Sequence, residues 1–220
     1  MRIFPLGENA VTVEFGDLIS HELNDKALAL AEYFNAHPFP GFIESVPAYT
    51  STAVFFDVVT VRSSIENNAF DAVESLLKTA IADLNSAQPK TAHVVEIPVS
   101  FDGNDSIDLA EMADALQIPP DDIIEIFLAR TYRVYMLGFL PGFPYMGEVD
   151  ERIAVPRRDS PRTKVPKGSV GIAGRQTGVY PLESPGGWQI IGRTDVEMFD
   201  AVNDEPCFLS PGDEVKFIRA

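Results

Sequence analysis

The first 40 positions show two different hydrophobic periods. Val11, Val13 and Phe15 alternate with polar residues after a turn at residues 7–9, which predicts a β-hairpin over residues 2–17. The period then changes to three or four residues. Ser20 is placed to cap a helix, which Pro38 and Pro40 end. Its predicted apolar face comprises Leu23, Ala27, Leu30, Ala31 and Phe34.

A similar unit follows between residues 42 and 84. FIESVPAY and STAVFFDV, residues 42–49 and 51–58, predict two strands joined around Thr50. A second helix is predicted from about Asn68, with an apolar stripe at Phe70, Val73, Leu77, Ala80, Ile81 and Leu84. The order β-β-α-β-β-α predicts an α+β sandwich related to the split βαβ plan, with both helices on one face of an antiparallel sheet. The polar stretch NSAQPKT, residues 85–91, is the predicted linker.

The second half of the chain has a different pattern of predicted strands and helices. HVVEIPVSF predicts a strand, and LAEMADAL and the segment after Pro119 and Pro120 predict two short helices. From Tyr132 onward, short alternating strands separated by glycine and proline are typical of a small β-barrel. We therefore predict an α+β protein with a small N-terminal α/β sandwich domain, residues 1–89, and a C-terminal β-barrel domain, residues 90–220.

Composition and charge narrow the range of compartments, partners and sites that the protein can have. Of the 220 residues, 45% are hydrophobic, and neither a membrane-spanning run nor a leader-like start is present, so we expect a cytoplasmic protein. The formal net charge of −16 disfavours nucleic acid and anionic membranes as partners. The single cysteine, Cys207, excludes internal disulfides and a cysteine-rich metal site, and we expect it to be buried.

Positive charge is concentrated between Arg152 and Arg193, a segment that we call the basic window. It contains two acids, Asp159 and Glu183. Its eight basic residues are Arg152, Arg157, Arg158, Arg162, Lys164, Lys167, Arg175 and Arg193. The window is either a site for an anionic ligand or a solvated loop that is basic by chance.

The familiar catalytic templates do not match. GSVGIAG has glycine spacing unlike that of a phosphate-binding or dinucleotide-binding loop, and His21, His37 and His93 lack ligand-like spacing. Five arginines of the basic window remain as forks for phosphate or carboxylate, with hydroxyl, amide and backbone N–H groups as further donors. These arginines are Arg157, Arg158, Arg162, Arg175 and Arg193. These further side-chain donors are Gln176, Thr177 and Tyr180. We expect about a third of the arginines to hold loops by pairing with carbonyls or with acids such as Glu183.

The segment YRVYMLGFLPGFPYMG, residues 132–147, presents aromatic rings on a glycine-rich backbone. Phe139, Phe143 and Tyr145 either line a ligand pocket, seal a subunit interface or pack in the core. We place them in a set of predicted substrate or interface positions. The whole set is Gly138, Phe139, Pro141, Gly142, Phe143, Tyr145, Gly171, Gly174, Thr177 and Arg193.

This segment, with AVPRRDSPRTKVPKGSVGIAGRQTGVYPLESPGGWQIIGRT, residues 154–194, closely resembles the allophanate hydrolase subunit 1 or KipI family, which includes the B-subunit of the bacterial 5-oxoprolinase. The resemblance covers essentially the whole chain. It implies that the C-terminal domain is a cyclophilin-like barrel. It also implies two partners, a C-subunit with a related barrel and an A-subunit of the LamB/YcsF type.

The resemblance further implies a hydrolase complex that opens 5-oxo-L-proline to L-glutamate with ATP and Mg²⁺, shared with the partner subunits, in which this chain is inactive alone. A lactam carbonyl is a poor electrophile, and phosphorylating its oxygen makes attack by water feasible. The transferring phosphoryl group then needs positive charge and positioned donors. Laying this chemistry over the family motifs assigns Arg157, Arg158 and Arg162 to phosphate or substrate carboxylate, and Gln176 and Tyr180 to orientation.

The family leaves two alternatives. Some relatives resemble inhibitors that dock on a sensor histidine kinase, and the aromatic loop suits such an interface. Hydrolysis of allophanate is the other alternative, although it usually needs an amidase-type serine for which the sequence has no signature. This chain also departs from the family pattern, with Phe127 where a histidine is frequent and Phe101 and Asp102 where tyrosine and glycine are frequent.

Overall fold

The computed structural model describes residues 1–65, 68–84 and 93–220. These fall into two compact units, Met1–Thr91 and Ala92–Ala220. The predicted linker, residues 85–91, lies outside the described residues. The mixture of helices and sheets in both units confirms the α+β class.

The first unit contains the predicted hairpins and helices, with one addition. Its elements are β1 (Arg2–Pro5), β2 (Ala10–Glu14), α1 (His21–Ala36), β3 (Phe42–Ala48), β4 (Ser51–Phe56), α2 (Val58–Ser64) and α3 (Ala69–Leu84). The expectation of a strand up to residue 58 was wrong, because β4 ends at Phe56 and the additional helix α2 begins at Val58. Asp57 caps this helix by accepting a 2.7 Å hydrogen bond from the Thr60 amide. The β-branched residues of α2 explain the error, since such residues favour strands.

The first sheet has the order β1-β2-β4-β3, and all neighbours are antiparallel. Since β2 and β3 both run antiparallel to β4, they are parallel to each other with β4 between them. Helix α1 connects β2 and β3, which confirms the predicted split βαβ relationship. The Ser20 hydroxyl accepts a hydrogen bond from the Leu23 amide and so caps α1, as predicted. Apolar residues of both long helices, including Leu30, Phe34 and Leu77, are buried against the sheet.

The second unit contains two short α-helices and nine strands among its described residues. They are β5 (Val94–Val99), α4 (Leu109–Leu116), α5 (Pro120–Leu128), β6 (Thr131–Leu137), β7 (Pro144–Gly147), β8 (Arg162–Val165), β9 (Ser169–Ala173), β10 (Gln176–Val179), β11 (Ser184–Gly186), β12 (Gln189–Arg193) and β13 (Glu214–Arg219). The predicted strand near residue 94, both helices and the short strands after Tyr132 are confirmed.

Seven of these strands form one sheet in the order β12-β9-β10-β7-β6-β13-β5, and β8 pairs with β11 separately. The sheet curls so that its two edges meet at one point. There, Ser100 and Arg193 exchange two backbone hydrogen bonds of 2.8 Å. Within this sheet, as far as the structure describes it, only the β13–β5 pair is parallel. In the described ranges, no helix combines the length and the hydrophobicity that a bilayer span requires.

Phe127, expected above to stand where the family often has histidine, lies in the core of the second unit. Phe127 is fully buried, and its ring centroid is 5.0 Å from those of Tyr132 and Phe217. The Tyr132 hydroxyl donates a 2.8 Å hydrogen bond to the Phe127 carbonyl. Phe127 therefore has a packing role in this protein. Cys207, expected to be buried, is half-buried.

Candidate functional site

The basic window is largely neutralised by ion pairs within the second unit. Seven of its eight basic residues lie within 4.0 Å of a carboxylate oxygen among the described residues. The pairs are Arg152–Asp150, Arg158–Asp108, Arg162–Asp108, Lys164–Glu183, Lys167–Glu197, Arg175–Glu148 and Arg193–Asp105. Of these carboxylates, only Glu183 belongs to the window. Tertiary contacts therefore bring acids from elsewhere in the chain to most of the arginines predicted to bind an anion.

Arg157 is the exception. It is exposed and makes no ion pair with any acid in the described ranges. Its charge nevertheless acts on Tyr180. Burial raises the pKa of Tyr180, while a hydrogen bond with the Trp188 backbone and the positive charges of Arg157 and Arg162 oppose that rise. Arg157 is thus an unneutralised cation close to a buried phenol.

A buried carboxylate organises the two neighbouring arginines. Asp108 is 1% exposed. Its Oδ1 accepts a 2.8 Å hydrogen bond from Arg158 Nη1 and a second from Arg162 Nη2. Its Oδ2 accepts from the Ile190 amide at 2.6 Å, and the Asp108 amide donates to the Ile190 carbonyl at 2.9 Å. Asp108 therefore joins both guanidinium groups to the outer edge of β12.

Sequence reasoning missed Asp108, although a clue was present. An aspartate directly before an apolar helical segment is typical of a helix cap. In the structure, Asp108 precedes α4 at that position but makes no side-chain capping hydrogen bond. Its carboxylate binds the edge of β12 and the two arginines instead. The residue was recognisable as special, but its partners, 50 to 82 positions away, were not.

The arginine pair has hydrogen-bonding capacity to spare. Arg158 Nε and Arg162 Nη1 are buried, and neither has a partner in the described part of the chain. Buried charged donors without partners are costly, so such atoms point to a missing acceptor. Two guanidinium groups around one buried carboxylate also leave a positive charge, which the largely exposed Glu111 at 3.2 Å from Arg158 Nη1 offsets only weakly. The pair suits an anionic oxygen.

Tyr180 belongs to the same neighbourhood. It is 1% exposed, and its ring packs edge to face on Phe143 at 5.2 Å. A Cβ atom on Gly186 would overlap the Tyr180 hydroxyl, so only glycine fits there. The following residue, Gly187, accepts a 2.7 Å hydrogen bond from the Arg158 amide. Residues 186–188 therefore connect Tyr180 to the arginine pair.

Gln176 and Tyr180 lie at opposite ends of β10. Gln176 opens β10, whereas Tyr180 follows the end of that strand, so the two residues are about 13 Å apart along the chain at the usual strand rise. Gln176 lies opposite Gly147 and Ala173 in the sheet. The structure thus links Arg157, Arg158, Arg162 and Tyr180, and it places Gln176 at the other end of β10 from Tyr180.

Several predicted loop positions have local structural roles. The Thr177 hydroxyl is buried and donates to the Gly171 carbonyl at 2.9 Å, which ties β10 to β9. Gly171 packs against the side chain of Trp188, and Gly174 forms the β9–β10 turn at φ +60°. The Arg193 backbone bonds to that of Ser100 where the two edges of the curled sheet meet, as described above. These residues support the site without lining it.

The predicted aromatic loop consists of residues 138–143, between β6 and β7. The Leu140 amide donates to the Gly138 carbonyl at 2.9 Å, which forms a γ-turn around Phe139. The Phe143 amide then donates to the Leu140 carbonyl at 3.0 Å, in a turn that has Pro141 and Gly142 at its centre. Gly142 has a φ of +76°, as a type II turn requires.

The aromatic residues of this segment divide between core and surface. Phe143 is 1% exposed and contacts the rings of Phe139, Tyr145, Tyr180 and Trp188. Tyr145 is half-buried. Phe139 is 61% exposed, so its ring covers one side of Phe143 and faces solvent with the other. Phe143 therefore has the packing role, and Phe139 is available for contact with another molecule.

This chain is similar in sequence to known proteins over almost its whole length. The model of the family described as carboxyltransferase domain, subdomain C and D, matches residues 1–209. The chain belongs to this family. It is 42% identical to the 5-oxoprolinase B-subunit of Bacillus subtilis (strain 168), over 99% of this chain and 92% of that protein. It is 37% identical to the 5-oxoprolinase B-subunit of Escherichia coli O157:H7, over 99% and 95%. The predicted resemblance to the family that contains the B-subunit is confirmed.

Several solved structures have the same fold as this chain. TTHA0988, in space group P212121, matches 96% of this chain with 38% identity and a TM-score of 0.82. This chain spans only 40% of TTHA0988, so most of that polypeptide lies outside the similarity. PH0987 from Pyrococcus horikoshii matches over 100% of this chain and 97% of its own length, with 42% identity and a TM-score of 0.56. The urea amidolyase of K. lactis, at 22% identity and a TM-score of 0.76, shares the fold; this chain spans 15% of it.

Proposed function

We propose that this chain is the B-subunit of an ATP-dependent 5-oxoprolinase, which opens 5-oxo-L-proline to L-glutamate together with the A- and C-subunits. The supporting observation is identity of 42% and 37% to proteins of that name over 99% of this chain and more than nine-tenths of theirs. The likeness to urea amidolyase is one of fold and carries no activity with it.

The family resemblance supplies the finer features of the proposal. The second unit is a cyclophilin-like barrel, and the C-subunit carries a related one, while the A-subunit is of the LamB/YcsF type. The protein acts in the cytoplasm. ATP, with Mg²⁺, is a substrate at a site shared among the subunits, and the isolated chain does not turn over.

Arg157, Arg158 and Arg162, which we call the arginine group, supply this chain's part of the chemistry. ATP supplies the phosphoryl group that activates the lactam oxygen. Arg158 and Arg162, whose side chains stay partly exposed, bind an anionic oxygen, either of a phosphate or of the substrate carboxylate. Arg157 adds an unneutralised charge where negative charge develops during transfer. Asp108 holds Arg158 and Arg162 in place from behind.

Tyr180 has a supporting part in the proposal. Because burial raises its pKa, its hydroxyl stays protonated in neutral solution. It holds the backbone of Trp188 and packs under Gly186, so it positions the segment that binds the Arg158 amide. Tyr180 thereby orients the arginine pair without reacting itself. The orienting role of Gln176, at the other end of β10, stays a prediction.

Reconstitution tests the function. The chain is purified alone and together with the A- and C-subunits, and glutamate formed from 5-oxo-L-proline is measured with and without ATP. We expect ATP-dependent glutamate production by the three proteins together and none by this chain alone. Failure of the complete wild-type set to produce glutamate would refute the assigned activity, whereas turnover by the isolated chain would refute the shared site.

A further inference from the structure

The Arg158 side chain has one nitrogen, Nη1, with more acceptors than hydrogens. It donates to Asp108 Oδ1 at 2.8 Å and to Glu111 Oε2 at 3.2 Å. Gln189 Oε1 lies 3.5 Å away, at the outer limit of a hydrogen bond. A guanidinium Nη carries two N–H groups, so three oxygens cannot all accept a full hydrogen bond from it. The shortest bond goes to Asp108, and Glu111 and Gln189 share the second N–H.

The two acids at this nitrogen are held very differently. Asp108 is 1% exposed, and its other oxygen accepts from the Ile190 amide at 2.6 Å, so its carboxylate is fixed in the fold. The Glu111 side chain is 73% exposed, and Arg158 is its only ion-pair partner in the described part of the chain. An exposed ion pair contributes little, because water competes for both charges. Glu111 is therefore the acid that another anion can displace from Arg158.

Helix α4 explains why Glu111 reaches the same nitrogen as Asp108. Asp108 directly precedes α4, and Glu111 follows three residues later, a spacing that places two side chains on the same side of a helix. In a capping box, a glutamate at this third helical position binds back to the amide of the capping residue. Here that amide donates to the Ile190 carbonyl at 2.9 Å instead. The Glu111 carboxylate is left to bind Arg158.

The charges at the arginine pair favour a carboxylate over a phosphate. Arg158 and Arg162 carry two positive charges, and Asp108 and Glu111 carry two negative ones. When Glu111 moves away, one positive charge remains, which a singly charged carboxylate balances. A terminal phosphate carries roughly two negative charges, and its repulsion from Asp108 grows in proportion. Glu111 itself shows that a carboxylate oxygen fits at Arg158 Nη1.

We propose that Glu111 occupies the place of the substrate carboxylate in the free protein, and that 5-oxo-L-proline displaces it and binds Arg158 through its own carboxylate. The inference rests on the proposed function, and it assigns the arginine pair to the substrate carboxylate rather than to a phosphate. Glu111 thereby competes with the substrate: it pairs with Arg158 when the site is empty and so weakens substrate binding. Asp108 keeps both guanidinium groups in place while the two carboxylates exchange.

The test compares two variants of the full chain, each reconstituted with the A- and C-subunits. Glu111→Gln removes the competing charge and keeps the size of the side chain. Asp114→Asn is the matched control, because Asp114 is exposed on the same helix and makes no ion pair with any described residue. Glutamate production is measured while the concentrations of 5-oxo-L-proline and ATP are varied in turn, which gives kcat and a KM for each substrate.

We expect the KM for 5-oxo-L-proline to fall about two- to fivefold in Glu111→Gln, the factor that corresponds to the loss of one exposed ion pair. The kcat should keep its wild-type value, because the competing pair is already broken in every substrate-bound state. The KM for ATP should also stay unchanged. Asp114→Asn should alter none of the three constants, and circular dichroism should show unchanged folding of both variants.

Four outcomes overturn the inference while the wild-type complex is active. An unchanged KM for 5-oxo-L-proline in Glu111→Gln would show that Glu111 does not compete with the substrate. A fall in the KM for ATP instead would assign the arginine pair to phosphate. A lower kcat would make Glu111 a group that takes part in the reaction, and an equal effect of Asp114→Asn would reduce the result to the overall charge. If the wild-type complex forms no glutamate, the proposed function itself is refuted, and the inference with it.

Discussion

Arg158 Nη1 donates a 2.8 Å hydrogen bond to Oδ1 of Asp108, 50 positions earlier in the chain. Arg162 donates to the same oxygen. Two of the three arginines predicted to bind phosphate or substrate carboxylate are therefore also the counter-charges of a buried carboxylate. Replacing either with alanine will lower stability as well as activity, so their loss of turnover alone cannot identify a ligand contact.

Asp108→Asn should destabilise the second unit by about 2–4 kcal/mol, because it leaves two partly buried guanidinium groups without their counter-charge. Urea unfolding followed by fluorescence measures this, since the single tryptophan, Trp188, lies in that unit. Asp159→Asn, at an exposed position, serves as the control and should change stability by less than about 0.5 kcal/mol. Equal stability of the two variants would mean that the buried network contributes no net stabilisation.

Arg157→Ala should leave the free energy of unfolding within about 0.5 kcal/mol of the wild type, because Arg157 has no acid partner among the described residues. Glutamate production by the reconstituted complex should fall about 100-fold, as when one charge-stabilising donor is lost. The matched control is Lys164→Ala, which removes only the exposed pair with Glu183. An undiminished rate for Arg157→Ala would remove this residue from the site.

Gly142→Ala should destabilise the second unit by about 2–4 kcal/mol. Alanine there would combine a φ of +76° with a contact of 2.7 Å to the Met198 carbonyl oxygen. Gly174→Ala isolates the backbone strain, since its φ is +60° but no atom lies within 4 Å of the added Cβ. It should cost only about 1 kcal/mol. Similar melting temperatures for the two variants would contradict the close packing of the aromatic loop.

The hydrogen bonds of Asp150 lead us to expect that the stability of the protein depends on pH. Hydrogen bonds from Arg152, and then from Arg130, hold the pKa of Asp150 well below its usual range. A depressed folded-state pKa stabilises the protein above the ordinary aspartate pKa of about 4, and this contribution is lost as the pH falls below it. Asp150→Asn should therefore be less stable than the wild type at pH 7, and the difference should shrink below about pH 4. A difference that stays constant in urea unfolding down to pH 3 would contradict this.

The sequence alone determined most of the secondary structure and the family. Alternation and helical periodicity identified the hairpins, helices α1, α3, α4 and α5, and the strand-rich second half, because burial of one face imposes those periods on nearby residues. The error at α2 came from valines that suit a strand as well as a short helix capped by Asp57. The aromatic loop was recognised as special, but its periodicity could not separate the buried Phe143 from the exposed Phe139.

Only the tertiary structure decided which charges are satisfied. From the sequence, the basic window is an excess of positive charge, yet folding brings Asp105, Asp108, Glu148 and Glu197 to it from outside. Ion pairs depend on distance in space, and closure of the curled sheet sets those distances. For the same reason, Arg157 became distinguishable from seven similar residues only once the chain was folded.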